Sequence, residues 1–235
     1  MQKDELQTIK FAAIICLACS MALAGVQGTL RGRQERNKQI DKQINVLKAL
    51  APTFDPEGNE LSEEEVDLYF VQGKVPKEWI PSYFENFVKS EDVTLPDGTA
   101  TILYELSKED QVVSVAFPAQ GKGLWSTVHS YVGLETDLAT IRGVTFFDHG
   151  ETPGLGGECS KPWFQRNFQG KKLWSDGEPV KFEVAKGSAD PETPYKVDGM
   201  SGATITGNGI QKFVNETFRM YNEAVFQSQR TTEES

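Results

Sequence analysis

Three glycine-rich clusters hold the residue types best suited to chemistry in this chain. The first is Gly121-Lys122-Gly123-Leu124-Trp125-Ser126-Thr127. The second is Glu151-Thr152-Pro153-Gly154-Leu155-Gly156-Gly157, and the third runs from Asp198-Gly199-Met200-Ser201-Gly202-Ala203 to Thr204-Ile205-Thr206. The third opens a helical pattern. Small residues there let a ligand approach the backbone, and the unpaired first-turn N–H groups and helix dipole favour a phosphate. Ser201, Thr204 and Thr206 add hydroxyls. The same residues also suit a plain N-cap with turn glycines, and the second cluster also suits a mobile loop. Gly154-Leu155-Gly156-Gly157 is no dinucleotide fingerprint, because no βαβ unit frames it.

Other chemistries find less support. His129 and His149 are the two histidines, and neither has metal-ligand spacing with Cys159. His149 lies beside Asp148 and Glu151 and suits either catalysis or an ordinary surface loop. Neither Gly-x-Ser-x-Gly nor Gly-x-x-x-x-Gly-Lys-[Ser/Thr] occurs, which argues against a hydrolase or an ATPase.

The elements that must position these clusters read as an α+β domain with mostly antiparallel strands. Thr206–Gln227 predicts a helix whose apolar face is Ile210, Phe213, Val214, Phe218, Tyr221 and Val225. Thr99–Leu106 and Gln111–Phe117 predict one strand pair, and Val128–Leu134 and Thr140–Phe147 a second. Val180–Lys186 predicts another strand. Ser62-Glu63-Glu64-Glu65 is a capping box before a short helix. Pro76, Pro81, Trp79, Tyr83, Phe84 and Phe87 suggest an irregular packed segment, closed by a turn at Leu95-Pro96-Asp97-Gly98. The absence of βαβ alternation argues against a dinucleotide-binding sheet.

Charge divides the 235 residues unevenly. Residues 1–30 net zero, and Phe11 to Leu30 is an uncharged run long enough to span a bilayer core of about 30 Å. A cleaved signal peptide would have a shorter apolar region, so the expectation is a retained single transmembrane helix. Cys16 and Cys19 read as small packing residues on one of its faces. Residues 31–50 hold six cations against two carboxylates, +4, so residues 51–235 carry −14 of the overall −10. Ile40, Ile44 and Leu47 recur at helical spacing there, predicting a stalk that Pro52 stops. The expected organisation is an anchor over 1–30, a basic helical stalk over 31–50 and a soluble body over 51–235. An acidic body argues against nucleic-acid binding. The positive-inside rule, taken alone, weakly places the body in the cytoplasm.

Asp198-Gly-Met-Ser-Gly-Ala-Thr204 resembles the flavinylation motif of the FMN-binding domain family. The stalk Gln34-Glu35-Arg36-Asn37-Lys38 to Asp41-Lys42-Gln43, the stretch Gly121–Thr127 and His149–Gly157 resemble, within that family, the C-type subunits of the sodium-translocating NADH:quinone reductases. The related G-type subunits of Rnf complexes share the flavinylation motif. A membrane-tethered assembly module without flavin is the alternative of another class.

The resemblance implies FMN joined through its phosphate to the Thr204 hydroxyl by a separate flavin transferase, with Asp198 serving attachment. It further implies that Ser201, Gly202 and Ala203 line the phosphate end, with Lys186 near it. Trp125, Ser126, Thr127, Glu151, Thr152, Gly154, Leu155 and Gly156 are expected around the ring and ribityl chain. Electrons would arrive from an iron–sulfur centre of neighbouring membrane subunits (B, D and E types are the expected partners) and leave to the flavin of the B-type subunit and ubiquinone. The family places the flavin domain on the periplasmic face of a bacterial inner membrane.

Overall fold

The computed structural model describes residues 3–233. A helix, α1, spans Lys3–Leu50, and its residues divide between two compact units, Met1–Lys42 and Gln43–Ser235. In the first unit, Arg31 pairs with Glu35 one turn on, at 3.0 Å. Phe11, Ile14, Leu17, Met21 and Leu23 are exposed. Among the described residues no single helix is long and apolar enough to cross a membrane, whereas the bent pair Ile9–Gly25 and Leu30–Leu50 meets both requirements together. The run over 11–30 is uncharged, but Ser20, Gln27, Thr29 and its glycines dilute its apolar character.

The last turns of α1 belong to the second unit. Val46, Leu47, Ala49 and Leu50 are fully buried there. Ala51 turns left-handed (φ 41°) and ends the helix just before Pro52. The Ala51 carbonyl accepts from Arg142 Nε (3.0 Å), and Leu50 O accepts from Ser114 Oγ (2.8 Å).

Next come α2, Glu63–Val66, with its capping box formed between Ser62 and Glu65, and α3, Trp79–Asn86. A π-turn at Asp67–Val71 follows α2 directly. The segment expected to be irregular is instead mostly the helix α3, held by an aromatic cluster: Tyr83 meets Phe54, Phe70, Trp79 and Phe87, and its hydroxyl donates to the Phe54 carbonyl.

Five strands then form an antiparallel sheet in chain order: β1 Val88–Thr94, β2 Ala100–Lys108, β3 Gln111–Lys122, β4 Thr127–Leu134 and β5 Ile141–Asp148. Four of these were expected. The fifth, β1, is an edge strand with only Val88 and Val93 buried, and its polar run Lys89–Asp92 hides the strand pattern. The end of α1 lies against β4 and β5: a side chain on Gly133 would meet the Ala49 carbonyl at 1.9 Å.

The rest of the chain covers the sheet with helix and short pairings. The helix α4 spans Pro162–Arg166. β6 Trp174–Ser175 pairs antiparallel with β7 Glu178–Pro179, and β8 Glu183–Val184 pairs parallel with β9 Lys196–Val197. The strand expected over Val180–Lys186 contracts to β8. Side chains of the last long helix supply hydrogen bonds a strand would give: Asn215 Oδ1 accepts from Phe182 N–H and Gln211 Oε1 accepts from Val184 N–H.

That helix, α5, spans Thr204–Tyr221 and packs Ile210, Phe213, Val214 and Phe218 into the core with Phe117, Val128, Val132 and Phe146 of the sheet. It starts two residues before the expected position. A π-turn at Asn222–Phe226 separates it from α6, Gln227–Glu233. The extra residue rotates the helix face, so Phe226 enters the core where Val225 was expected, and Val225 is only partly buried.

Gly133→Ala should force the end of α1 off the sheet. The expected loss is about 1–3 kcal/mol, the cost of overpacking a close contact, measured by urea denaturation of the full chain in detergent.

Candidate functional site

The three glycine-rich clusters converge at one end of the sheet. The first links β3 to β4, the second follows β5 and runs into a 3₁₀ turn at Gly156–Ser160, and the third leads into α5. Their order follows from backbone contact: a side chain on Gly209 would meet the Lys122 carbonyl at 2.2 Å, so the start of α5 is pressed on the end of β3.

Glu151 joins all three clusters. It is 5% exposed. Its Oε2 accepts from Thr206 Oγ1 (2.6 Å) and Leu124 N–H (3.2 Å), and its Oε1 accepts from Trp125 N–H (2.9 Å) and Ser126 N–H (3.1 Å). Burial pushes its carboxyl up, but the Thr206 hydroxyl and the three amides outweigh burial and hold it below the usual carboxylate range. Gly123 and Gly156 make room for it, since a side chain on either would stand 2.7 or 2.6 Å from a carboxylate oxygen. Behind it, burial first and the Glu151 charge second push the Cys159 thiol up to about 12, so Cys159 stays protonated.

The start of α5 faces the other way. Ala203 occupies the N-cap without a side-chain bond, and the first turn holds no acidic residue. The first helical backbone bond runs from Gly207 N–H to Ala203 O, and among the described residues the Thr204, Ile205 and Thr206 amides have no acceptor. Thr204 is the first helical residue and is exposed, as are Ser201 and Gly202. Trp125 (71% exposed), Leu124, Leu155 and Ile205 form exposed apolar surface on the same three clusters. Gly202 approaches Leu155 so closely that a side chain there would meet Leu155 Cδ2 at 2.8 Å.

The expected site residues therefore sort into groups. Gly202, Ala203 and Thr204 lie at the start of α5 with Leu155 against Gly202, and Trp125 is exposed on the loop whose amides bind Glu151. Ser126 Oγ accepts from Gly150 N–H (2.6 Å) and ties the first loop to the second. Thr127 is exposed and opens β4. The Thr152 carbonyl accepts from Leu155 and Gly157 N–H, and Gly154 turns with φ 76°, so these two shape the second loop. Gly156 is buried beside Glu151. Asp198 Oδ1 accepts from Ala189 N–H (2.6 Å) and holds the loop before the motif. Lys186 is exposed with no ion-pair partner among the described residues, and its neighbour Ala185 packs its carbonyl on Gly199.

Sequence reasoning placed Glu151 around a ligand, whereas its carboxylate turns inward. Thr206 was grouped with the hydroxyls and not with the site. Its place two residues after Thr204, and so on another side of the helix, is the signal that separates them.

Such an arrangement can hold a phosphate ester on Thr204, facing free amides at the positive end of α5, and a flat ring against Trp125, Leu155 and Ile205. FMN fits both requirements.

Glu151→Ala should leave three amides and a buried hydroxyl without their acceptor, at a cost of about 3 kcal/mol by urea denaturation. Because the folded carboxyl lies below its unfolded value, its contribution is full above the ordinary carboxylate range and is lost as pH falls through the folded value. Hydrogen exchange at Leu124–Ser126 should therefore accelerate below about pH 4 beyond its intrinsic pH dependence.

Comparison with known proteins agrees with this geometry. The sequence model of the FMN-binding domain matches residues 123–219, a stretch that includes all three glycine-rich loops from Gly123 onward. The C-type subunit of the Na⁺-translocating NADH-quinone reductase of Yersinia pestis is 33% identical over 236 residues, covering 89% of this chain and 86% of that protein. Its Vibrio campbellii counterpart is 32% identical, covering 87% of each. Among solved structures, the C-type subunit from Parabacteroides distasonis superposes with a TM-score of 0.61 at 26% identity, covering 82% of this chain and 94% of that one. NqrC from Shewanella oneidensis gives 0.60 at 24% identity over 77% and 93%, which shows the shared fold. The chain belongs to the NqrC family, the C-type subunits of the Na⁺-translocating NADH-quinone reductases.

Proposed function

We propose that this chain is the flavin-carrying electron relay of a sodium-translocating NADH:quinone reductase, with FMN linked by a phosphoester to Thr204. The observation that carries the reading is the exposed Thr204 hydroxyl on the first residue of an 18-residue helix with no side-chain cap. Attachment has a simple balance. Thr204 Oγ forms the new bond to the FMN phosphorus of FAD, the pyrophosphate bond breaks, AMP leaves with that bond's electrons, and the hydroxyl proton passes to a base on the flavin transferase.

The bound FMN supplies the one- and two-electron redox chemistry of the relay. The protein supplies position and field. First-turn amides of α5 would hold the remaining phosphate charge, and the exposed Lys186 would supply a cation for it. Trp125, Leu155 and Ile205 give the ring an apolar wall. Ser126, Thr127, Thr152 and the backbone at Gly154 would give the ribityl chain and ring edge polar contacts, whereas Gly156 is buried beside Glu151. Asp198 keeps the motif in shape for the transferase.

In this reading residues 1–30 anchor the chain as a single pass in a bacterial inner membrane, 31–50 form the stalk, and 51–235 form the flavin body on the periplasmic side. Burial of Val46, Leu47, Ala49 and Leu50 supports a stalk whose end is built into the body. Electrons come from an iron–sulfur centre of neighbouring membrane subunits and pass to the flavin of the B-type subunit, with ubiquinone as final acceptor and B, D and E types as the partners. A covalent cofactor suits a relay, because it cannot diffuse away between partners.

Thr204→Ala, coexpressed with a flavin transferase, should give folded protein with no flavin fluorescence on a denaturing gel, against a bright band for the unaltered chain. A fluorescent Thr204→Ala band would refute the linkage. Protease applied from the periplasm should cleave the body while sparing the anchor; full protection would refute the orientation.

A further inference from the structure

Glu151 is a buried carboxylate whose role in a flavin site is not explained by contact with the flavin. Its four donors are all dipoles: one hydroxyl and three amides. Among the described residues no cation pairs with it. A charge held only by dipoles keeps its field, because no opposite charge cancels it. The nearby Cys159 does not compensate, because it stays a neutral thiol.

The position of this charge is specific. Thr206, its closest donor, lies two residues beyond Thr204, about 3 Å further along the α5 axis. The three amides belong to the loop that carries Trp125. One carboxylate thus fixes both the turn that bears Thr204 and the loop that bears the exposed indole. Gly123 and Gly156 leave the space that the carboxylate occupies, since a side chain on either would collide with it. Since α5 has no acidic residue in its own first turn, Glu151 is the negative charge that its N-terminus receives from the protein interior.

We propose that Glu151, acting through Thr206 and the amides of Leu124, Trp125 and Ser126, is a positioning residue that sets the orientation of the flavin on Thr204 and lowers its reduction potential. The proposal rests on attachment at Thr204. Reduction adds electron density to the ring, and a fixed uncompensated carboxylate behind the flavin-bearing turn opposes that gain. Orientation follows because the Trp125 loop and α5 are held in register through the same two oxygens.

The test uses the full chain loaded with FMN by a coexpressed flavin transferase, in four forms: unaltered, Glu151→Gln, Thr206→Val and Thr206→Ser. Glu151→Gln keeps the shape and removes the charge; its midpoint potential at pH 7 should rise. Thr206→Val keeps the shape and removes the hydroxyl; the visible circular dichroism of its flavin should change, and Thr206→Ser should restore it. A Glu151→Gln potential equal to that of the unaltered chain overturns the electrostatic role. If that variant does not fold, Thr206→Val decides: a flavin spectrum identical to the unaltered chain overturns the positioning role. An unaltered chain that takes up no flavin overturns the attachment at Thr204 and this proposal with it, whereas loaded variants with unchanged potential and spectrum overturn this proposal alone.

Discussion

A carboxylate that cannot reach water must find its hydrogen-bond donors in the protein, and Glu151 finds four of them on two other segments. That requirement orders the site. Three successive amides of a loop must turn inward to meet one side chain, so the loop between β3 and β4 has no freedom to choose another shape. Its side chains then point outward, which is why Trp125 is exposed in an otherwise tightly built region. The Thr206 hydroxyl must also turn inward, which fixes the rotation of α5 about its axis and leaves Thr204 on the open side. The glycines at 123 and 156 are a consequence of the same demand, since any side chain there would collide with the carboxylate.

The scaffold makes this arrangement rigid from both faces of the sheet. On one face α5 packs a run of large apolar residues and crosses so near β3 that Gly209 touches the Lys122 backbone. The end of α1 lies on the neighbouring strands β4 and β5, sealed by carbonyl bonds from Ser114 and Arg142. The sheet is therefore the common support for α5 and for the last turns of α1. Such a construction would suit the proposed relay, because a cofactor held on the first turn of α5 would keep its place relative to the body.

Much of this was legible from residue types alone. Alternating apolar residues marked β2 to β5, Ser62 and Glu65 marked a cap, and the apolar stripe of α5 marked the helix. The glycine-rich stretch Asp198–Thr204 marked the start of that helix. What was not legible depended on tertiary context. Strand β1 is polar because one edge needs little burial. The π-turn after Tyr221 shifts the helix phase by one residue, and no propensity marks it. Strand hydrogen bonds near Val184 are supplied by Gln211 and Asn215, more than 25 residues away. Most tellingly, the inward turn of Glu151 depends on amides 25 to 27 residues before it and on a hydroxyl 55 residues after it. A single sequence read locally shows an acidic residue in a glycine-rich loop and nothing of its partners.

The central claim is that this framework exists to present one hydroxyl, that of Thr204, to a flavin phosphate. Its most direct test is mass mapping of the unaltered full chain after coexpression with a flavin transferase. Trypsin cuts after Lys196 and Lys212 and so isolates the peptide 197–212, which holds Ser201, Thr204 and Thr206. The account predicts one FMN, less water, on that peptide, with fragmentation placing it on Thr204. A chain of unchanged mass, or a flavin placed on any other residue, would contradict it.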